Sequence, residues 1–371
     1  MSGRYSTDYR QEMRRFRTMP QRAVAVVMVG VAIGVPFLFE LDYRPPLEFP
    51  WSAWLTNINF ALIAAIGAAA FNLLLGYTHQ VSVAHAAFLM IGTMVSAELG
   101  IQRELPFLLV LAAAMVAGAL IGAIVALPAL RFRSLYLLIA TFGVHYLVLF
   151  VYRAYQASTF GYSGIRFPRP TFPAWLPFLP DDGDGRFVMI GNFRWYWVLL
   201  IFATLSILFM SNLVNSREGR AFRAIGERDV AASLIGIDVT RSKLLAFSVS
   251  SAFVALAGSL SSFYLGARGE DSFPFIVVLN YAIMIIVGGT SSMTGAVFGA
   301  FFFYLTPLLF RWGTVHTPGL RDIEFLQRYE SESHLAIFGI IIISILILRP
   351  SGIVGAWNGA KRYFARWPYT T

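Results

Sequence analysis

The chain has 371 residues, 57% of them hydrophobic and only 13% charged, with a mean hydropathy of +0.65 and a net charge of +9. Soluble domains carry roughly 25% charged residues, so this composition excludes an ordinary soluble globule. The chain has no cysteine, which excludes disulfides, iron–sulfur clusters, thiolate zinc and thiol nucleophiles. Of its 29 basic residues only Lys243 and Lys361 are lysines; the arginines sit mostly in short loops between apolar runs, the pattern of topogenic charge and not of a nucleic-acid surface.

Apolar runs of near 20 residues recur along the whole length and predict an all-α polytopic membrane protein of about ten helices. The expected spans are 23–39, 56–75, 81–101, 106–127, 134–152, 195–213, 243–265, 275–289, 293–310 and 334–349. They form one transmembrane domain, 23–349, with an external loop at 153–194 and a cytoplasmic loop at 214–242. A basic tail, 1–22, precedes it and a second, 350–371, follows it. The first span has the arginine-rich start of a signal peptide. No small-x-small cleavage site follows Phe39, so the span is expected to remain as an anchor.

The stretch NLLLGYTHQVSVAHAAF, Asn72 to Phe88, interrupts this pattern. Gly76 to Gln80 breaks the helix, and backbone groups freed at a break must find partners in protein or in a water-filled cavity. Polar content continues into the next span through Gln80, Ser82 and His85, with Phe88 one turn beyond. His85, and His145 in the fifth span, read as hydrogen-bonded packing residues in preference to proton carriers. Glu98 reads as an interfacial carboxylate near the outer end of its span.

Close helix packing in lipid needs small residues. Ala114, Gly118 and Gly122 supply one such face; Ser251, Ala255 and Ser259 supply another; Gly295 and Gly299 supply a third. Between the second and third of these lies another break, Gly288-Gly289-Thr290-Ser291-Ser292. Each break reads either as an ordinary cytoplasmic turn or as half of the paired helix interruption that marks a transport pathway.

The loop from Asn215 to Phe247 is amphipathic. Ser216 is placed to cap a short helix with Glu218 in its first turn, and Phe222 and Ile225 share one face of it. Gly226 is expected to break this helix. A second runs through Val230 and Leu234, closed by Gly236 as a left-handed cap. Pieces this short need a surface to dock on, which is either a partner's groove or the lipid headgroups.

With the N-terminus inside, 18 basic residues fall on the cytoplasmic side and 11 outside, while Glu40, Asp42, Glu48, Asp181, Asp182, Asp184, Glu270 and Asp271 face out. The positive-inside rule thus supports an even number of spans with both ends cytoplasmic.

REGRAFRAIGERDVAASLIGIDVTRSKLLAF resembles the cytoplasmic loop of bacterial branched-chain amino acid ABC transporter permeases of the LivM type. NLLLGYTHQVSVAHAAF resembles the same family's glycine-tyrosine-x-glycine-glutamine-x-serine stretch. LPALRFRSLYLLIATFG, DSFPF, IIVGGTSSMTGAVFGA and LRPSGIVG match further family stretches in order, from about Asn72 to Gly355. STFGYSGI, Ser158 to Ile165, resembles the family's external threonine-glycine-glycine-x-x-glycine segment. Chance matches would not keep order and topology.

The resemblance implies ATPase coupling through Arg220, Phe222, Ala224, Ile225, Gly226, Glu227, Ala231, Ala232 and Gly236. It also implies a substrate pathway at Asn72, Gly76, Tyr77, Gln80, Ser82, His85, Phe88, Gly288 and Gly289, and an external mouth at Phe160, Gly161, Tyr162, Ser163 and Gly164. The implied partners are a second permease subunit of the LivH type, two ABC ATPase subunits carrying ATP and magnesium, a periplasmic substrate-binding protein and the lipid of a bacterial inner membrane. There are departures. His79 stands where the family has glycine, Ala84 replaces another glycine, and Phe160 and Tyr162 replace smaller residues, which puts the usual substrate in question.

A phosphate-binding loop needs Gly-Lys followed by Ser or Thr, and neither lysine follows a glycine. Hydrolysis is therefore expected on another polypeptide, with no cofactor or metal in this chain. An ion-coupled secondary transporter is the competing class; it needs buried carboxylates, and Glu98 is the sole acidic residue within the expected spans. A membrane-embedded enzyme would need clustered reactive residues, and the five histidines are scattered singly. Among substrates, leucine, isoleucine and valine follow from the resemblance, with urea or short amides, handled by a sister branch, as the alternative.

Overall fold

The computed structural model describes residues 30, 34–37, 51–131, 134–173, 186–188, 191–316, 330–348, 352–357 and 359. The chain divides into residues 1–55 and a compact unit of residues 56–371. In the first, backbone at 30 and 34–37 is helical; the N-terminal tail and most of the expected first span lie outside the described residues.

The long helices follow in chain order: α1 Trp51–Asn72, α2 His85–Ala97, α3 Phe107–Arg131, α4 Ser134–Thr159 and α5 Gly191–Asn215. Two short helices, α6 Arg217–Glu227 and α7 Asp229–Leu234, lead to α8 Val239–Leu265, α9 Ile276–Gly288, α10 Met293–His316 and α11 Glu330–Leu348. The only strands among the described residues are β1 Ile165–Arg166 paired antiparallel with β4 Ala267–Arg268, and β2 Thr171–Pro173 paired with β3 Arg186–Val188. The protein is thus all-α and polytopic. Seven segments among the described residues are long and apolar enough to cross a membrane.

Two of the expected spans are short as continuous α-helix. The expected span 81–101 does not begin at residue 81: α2 starts at His85 and has 13 residues, about 20 Å at 1.5 Å per residue. A π-turn, Glu98–Gln102, extends it. Likewise α9 has 13 residues and is preceded by a 3₁₀ turn, Glu270–Ser272. Both are shorter than the roughly 30 Å hydrocarbon core.

α1 and α8 are buried along most of their length, whereas α3, α4 and α5 turn large apolar side chains such as Leu120, Leu147, Phe150 and Leu205 outward to lipid. Helix α8 can occupy the centre because its small residues let neighbours approach to backbone contact. A Cβ on Gly118 would lie 2.6 Å from the Ala255 Cβ, and one on Gly122 would overlap Ser251. The small faces expected on these two helices therefore meet each other at those positions, while Ser259 turns to α2, where Ser96 Oγ lies 2.5 Å from Ser259 Oγ. Gly92 and Gly258 seal the α2–α8 contact against the backbones of Ala255 and Leu89. Gly295 and Gly299 pack on the backbone of α9 at Gly288 and Met284. In lipid no hydrophobic force draws helices together, so dispersion and hydroxyl hydrogen bonds at such seams hold the bundle.

Candidate functional site: two helix breaks joined to a short amphipathic helix

The first break is built from Asn72 onward. α1 does not stop at Gly76; it widens into a π-turn, Leu73–Tyr77, and the non-helical backbone runs from Thr78 to Ala84. The freed groups find partners within the protein. Thr78 Oγ1 donates to Leu74 O at 2.8 Å, Gln80 N donates to Leu74 O at 3.0 Å, and Val83 N donates to Thr141 Oγ1 at 3.0 Å. His79 has φ +50°, in the left-handed region. Glycine enters that region without steric cost and histidine more readily than branched residues. The position where the resemblance expects glycine is thus the position where the backbone turns left-handed.

The second break runs from Gly289 to Ser292, with Gly289 and Ser291 at positive φ. The two breaks meet. Asn72 Nδ2 donates to Ser292 O at 2.9 Å, Ser291 N donates to Asn72 Oδ1 at 3.2 Å, and Ser291 Oγ donates to Gly76 O. Asn72 is buried, so its amide acts as a two-sided clasp across 220 residues of sequence. Gly76 leaves no room for a side chain there, since a Cβ would lie 2.6 Å from Ser291 N. Gly352 backs onto Gly289, where a Cβ would lie 2.6 Å from Gly289 N.

The loop that follows α5 joins the same place. α6 buries Gly219, Phe222 and Ile225. Gly226 lies within the helix and does not break it; the chain leaves helical geometry at Arg228. Gly226 is there for contact: its carbonyl is 2.6 Å from His79 Nδ1, and a Cβ on it would lie 2.5 Å from Tyr77 O. The Arg223 guanidinium sits 5.7 Å from the centre of the Tyr77 ring, a cation–π contact. Ser216 occupies the N-cap position but makes no capping bond; its Oγ donates back to Leu213 O at 2.6 Å.

α7 then projects outward. Gly236 closes it with φ +84°, the expected left-handed cap, and Lys243 Nζ donates to Asp229 Oδ2 at 2.5 Å, tying α7 to α8. Ala232 is buried, whereas Ala231, Val230, Leu234 and Ile235 are exposed, Leu234 by 82%. Arg220 and Glu227 are exposed and Ala224 is half-buried.

The remaining residues expected on the pathway are divided. Tyr77 and Ser82 are buried at the break, and both amide atoms of Gln80 are buried without a partner. His85 is not hydrogen-bonded through Nε2, contrary to expectation; its ring is held between Phe71 and Tyr281 at centroid distances of 4.8 and 4.3 Å. His145 likewise has a buried Nδ1 without a partner. Phe88 is buried within α2, its backbone N–H donating to Ala84 O at 3.1 Å where the break ends. Glu98 is partly exposed; it accepts from the Tyr155 hydroxyl at 3.2 Å and pairs with Arg103 at 3.5 Å.

At the other end, the pairing of β1 with β4 draws the loop at 160–164 onto the loop at 266–272. Tyr162, Ser163 and Gly164 line a cavity of about 810 Å³ together with Arg153, Arg268 and Glu270. Phe160 does not line it; its ring packs on Tyr155 at 5.9 Å. Arg268 lies in no motif of the sequence. Burial pushes its guanidinium down from its ordinary value, although an arginine stays protonated in proteins.

Residues 53–347 match a family model described as branched-chain amino acid transport system / permease component. The chain is similar to the high-affinity branched-chain amino acid transport system permease protein LivM of Salmonella typhimurium, 25% identical over 350 residues covering 91% of this chain and 76% of that protein. It is similar to the probable branched-chain amino acid transport permease protein LivH of Methanocaldococcus jannaschii, 27% identical over 40% of this chain and 45% of that one. A shorter stretch is 39% identical to the xylose transport system permease protein XylH of Escherichia coli, over 28% of this chain and 27% of that one. No solved structure matches the chain.

Proposed function

Because the chain belongs to the branched-chain amino acid transport system / permease component family, we propose that it is one permease subunit of an ATP-driven importer for branched-chain or other hydrophobic amino acids, set in a bacterial inner membrane. The observation that carries this reading is the bond between α6 and the first break, His79 Nδ1 to Gly226 O at 2.6 Å, together with the clasp of Asn72 on the second break. A push on α6 has a short, hydrogen-bonded route to both helix interruptions.

In this reading α7 is the handle. Its exposed Val230, Leu234 and Ile235 form an apolar knob on a cytoplasmic surface, the form that suits a groove on a partner ATPase. The two ATPase subunits hold ATP and magnesium. This chain's part is to carry displacement of α6 and α7 through Tyr77–His79 into α1, and through Ser291–Ser292 into α9 and α10. Those helices then tip between outward and inward openings, a rigid-body mode of switching. A second permease of the LivH type completes the channel, and a periplasmic binding protein delivers substrate to the external mouth at Tyr162–Gly164.

The ion-coupled alternative has little support. Glu98 is partly solvated and is held by Arg103 and Tyr155, which is the setting of a surface carboxylate and not of an intramembrane proton site. The deciding experiment reconstitutes permeases, ATPases and binding protein in proteoliposomes. Uptake of labelled leucine is expected only with internal ATP. Uptake that persists on a proton gradient without the ATPase subunits refutes the assignment.

A further inference from the structure

One side chain at the outer end has no role in the coupling just described. Arg268 is fixed by its backbone: it pairs with Ile165 across β1 and β4, its carbonyl accepts from the Tyr152 hydroxyl at 3.4 Å, and Gly164 closes over it with room for no larger residue than a tight Cβ at 3.2 Å. Its guanidinium carbon lies 5.3 Å from the Phe273 ring centre. Its Nε is buried with no hydrogen-bond partner, and among the described residues no carboxylate pairs with it. The nearby Glu270 is already engaged, with Arg153.

Arg268 belongs to the walls of two cavities. One is the external cavity of about 810 Å³. The other is an inner cavity of about 160 Å³ whose lining includes Phe60, Ile63, Leu89, Met284, Tyr281 and Tyr304, with Ser261 and Asn280 among its polar residues. A cavity of about 150 Å³ holds a benzene-sized apolar body, so the inner one fits a branched four-carbon side chain. The outer one carries a further unpaired acceptor: Gln156 is 7% exposed and its Oε1 is buried without a partner. Asp271 lines the same outer wall.

A guanidinium held with an unmet donor beside two cavities has the donor chemistry that a carboxylate needs. Arg268 is half-buried with its Nε shielded from solvent, and the planar fork of arginine matches a carboxylate through two parallel charge-assisted bonds. We propose that Arg268 binds the carboxylate of an α-amino acid at the junction of the two cavities. The substrate ammonium faces Gln156 Oε1 and Asp271, and its apolar side chain points into the inner cavity. This inference rests on the transport reading for its substrate, but it adds a selection made by the permease itself. A neutral solute such as urea or a short amide gains only a neutral carbonyl hydrogen bond from Arg268, whereas an amino acid gains a charge-assisted pair.

The test uses the assembled permease–ATPase complex in nanodiscs, without binding protein, and saturation-transfer NMR with three probes. These are leucine, isovalerate, which keeps the carboxylate and branched body, and isovaleramide, which replaces the carboxylate by a neutral amide. Leucine and isovalerate are expected to bind and isovaleramide to bind at least tenfold more weakly. Arg268→Gln is expected to weaken leucine and isovalerate by tenfold or more, and Arg268→Lys, which keeps the charge and most of the volume, by less. Equal binding of isovalerate and isovaleramide overturns the site, as does unchanged leucine binding in Arg268→Gln or an equal loss in both variants. Uptake of labelled leucine by the complete importer is measured alongside. A complex that binds leucine through Arg268 yet imports none keeps the site and removes the transport reading; one that imports leucine equally well as wild type and as Arg268→Gln removes the site and keeps the transport reading.

Discussion

Substituting Gly226 by alanine tests the coupling route at its narrowest point. The new Cβ would lie 2.5 Å from Tyr77 O, 3.2 Å from His79 Nδ1 and 3.4 Å from Thr78 C. The first of these neighbours is backbone and cannot swing aside, so either α6 or the π-turn must retreat. Overpacking of this kind costs about 1–3 kcal/mol. Alanine favours a helix over glycine by about 0.5–1 kcal/mol. That gain acts on α6 whether or not it is docked, so it does not offset the clash. The docked arrangement should therefore lose a factor of about 5 to 150 against the undocked one, at 1.4 kcal/mol per tenfold. The assay is substrate imported per ATP hydrolysed in proteoliposomes holding the complete complex, where at least a fivefold fall is expected. Gly143→Ala is the control, because a Cβ there meets nothing within 4 Å. A wild-type coupling ratio in Gly226→Ala would refute the claim that α6 drives the break.

Three further outcomes follow from the same geometry. Asn72→Ala leaves Ser292 O and Ser291 N without their partner; Ser291 is exposed and Ser292 half-buried, so at about 0.5–1.5 kcal/mol for each lost hydrogen bond a drop in the thermal unfolding midpoint is expected in detergent, and an unchanged midpoint would remove the clasp. Leu234→Glu and Ala231→Arg alter exposed positions on α7, so the chain should fold as before while its affinity for the ATPase subunits falls at least tenfold in a titration; undiminished affinity in both would place the docking surface elsewhere. Glu98→Gln removes a carboxylate that pairs with Arg103 at the outer end; ATP-driven uptake should stay within about twofold of wild type, since exposed pairs contribute about 0–1 kcal/mol, and abolished uptake would revive the ion-coupled alternative.

Much of the candidate site was legible because its signals are local. Gly236 follows the last apolar position of a short amphipathic segment, and it does adopt the left-handed cap. Phe222 and Ile225 are three apart and share the buried face of α6. Gly118, Gly122, Ser251 and Ala255 recur at one-turn spacing, and they do form a helix seam. Other features could not be read locally. Gly226 looked like a helix breaker by its residue type, yet its role is contact with Tyr77 and His79, some 147 residues away in sequence. Arg268 sits in no motif, and its burial arises only when the strand pair closes the outer loops over it.

The succession of apolar runs and their length against the bilayer depend on composition over windows of about 20 residues, so the amino-acid order alone determined an all-α, multi-pass architecture. Which break meets which helix depends on a hydrogen bond that Asn72 makes across 220 residues and on glycines that admit a neighbour's backbone. Only the tertiary structure decided that, because a side chain's long-range partner is chosen by how every helix between them packs, and no local pattern encodes that sum.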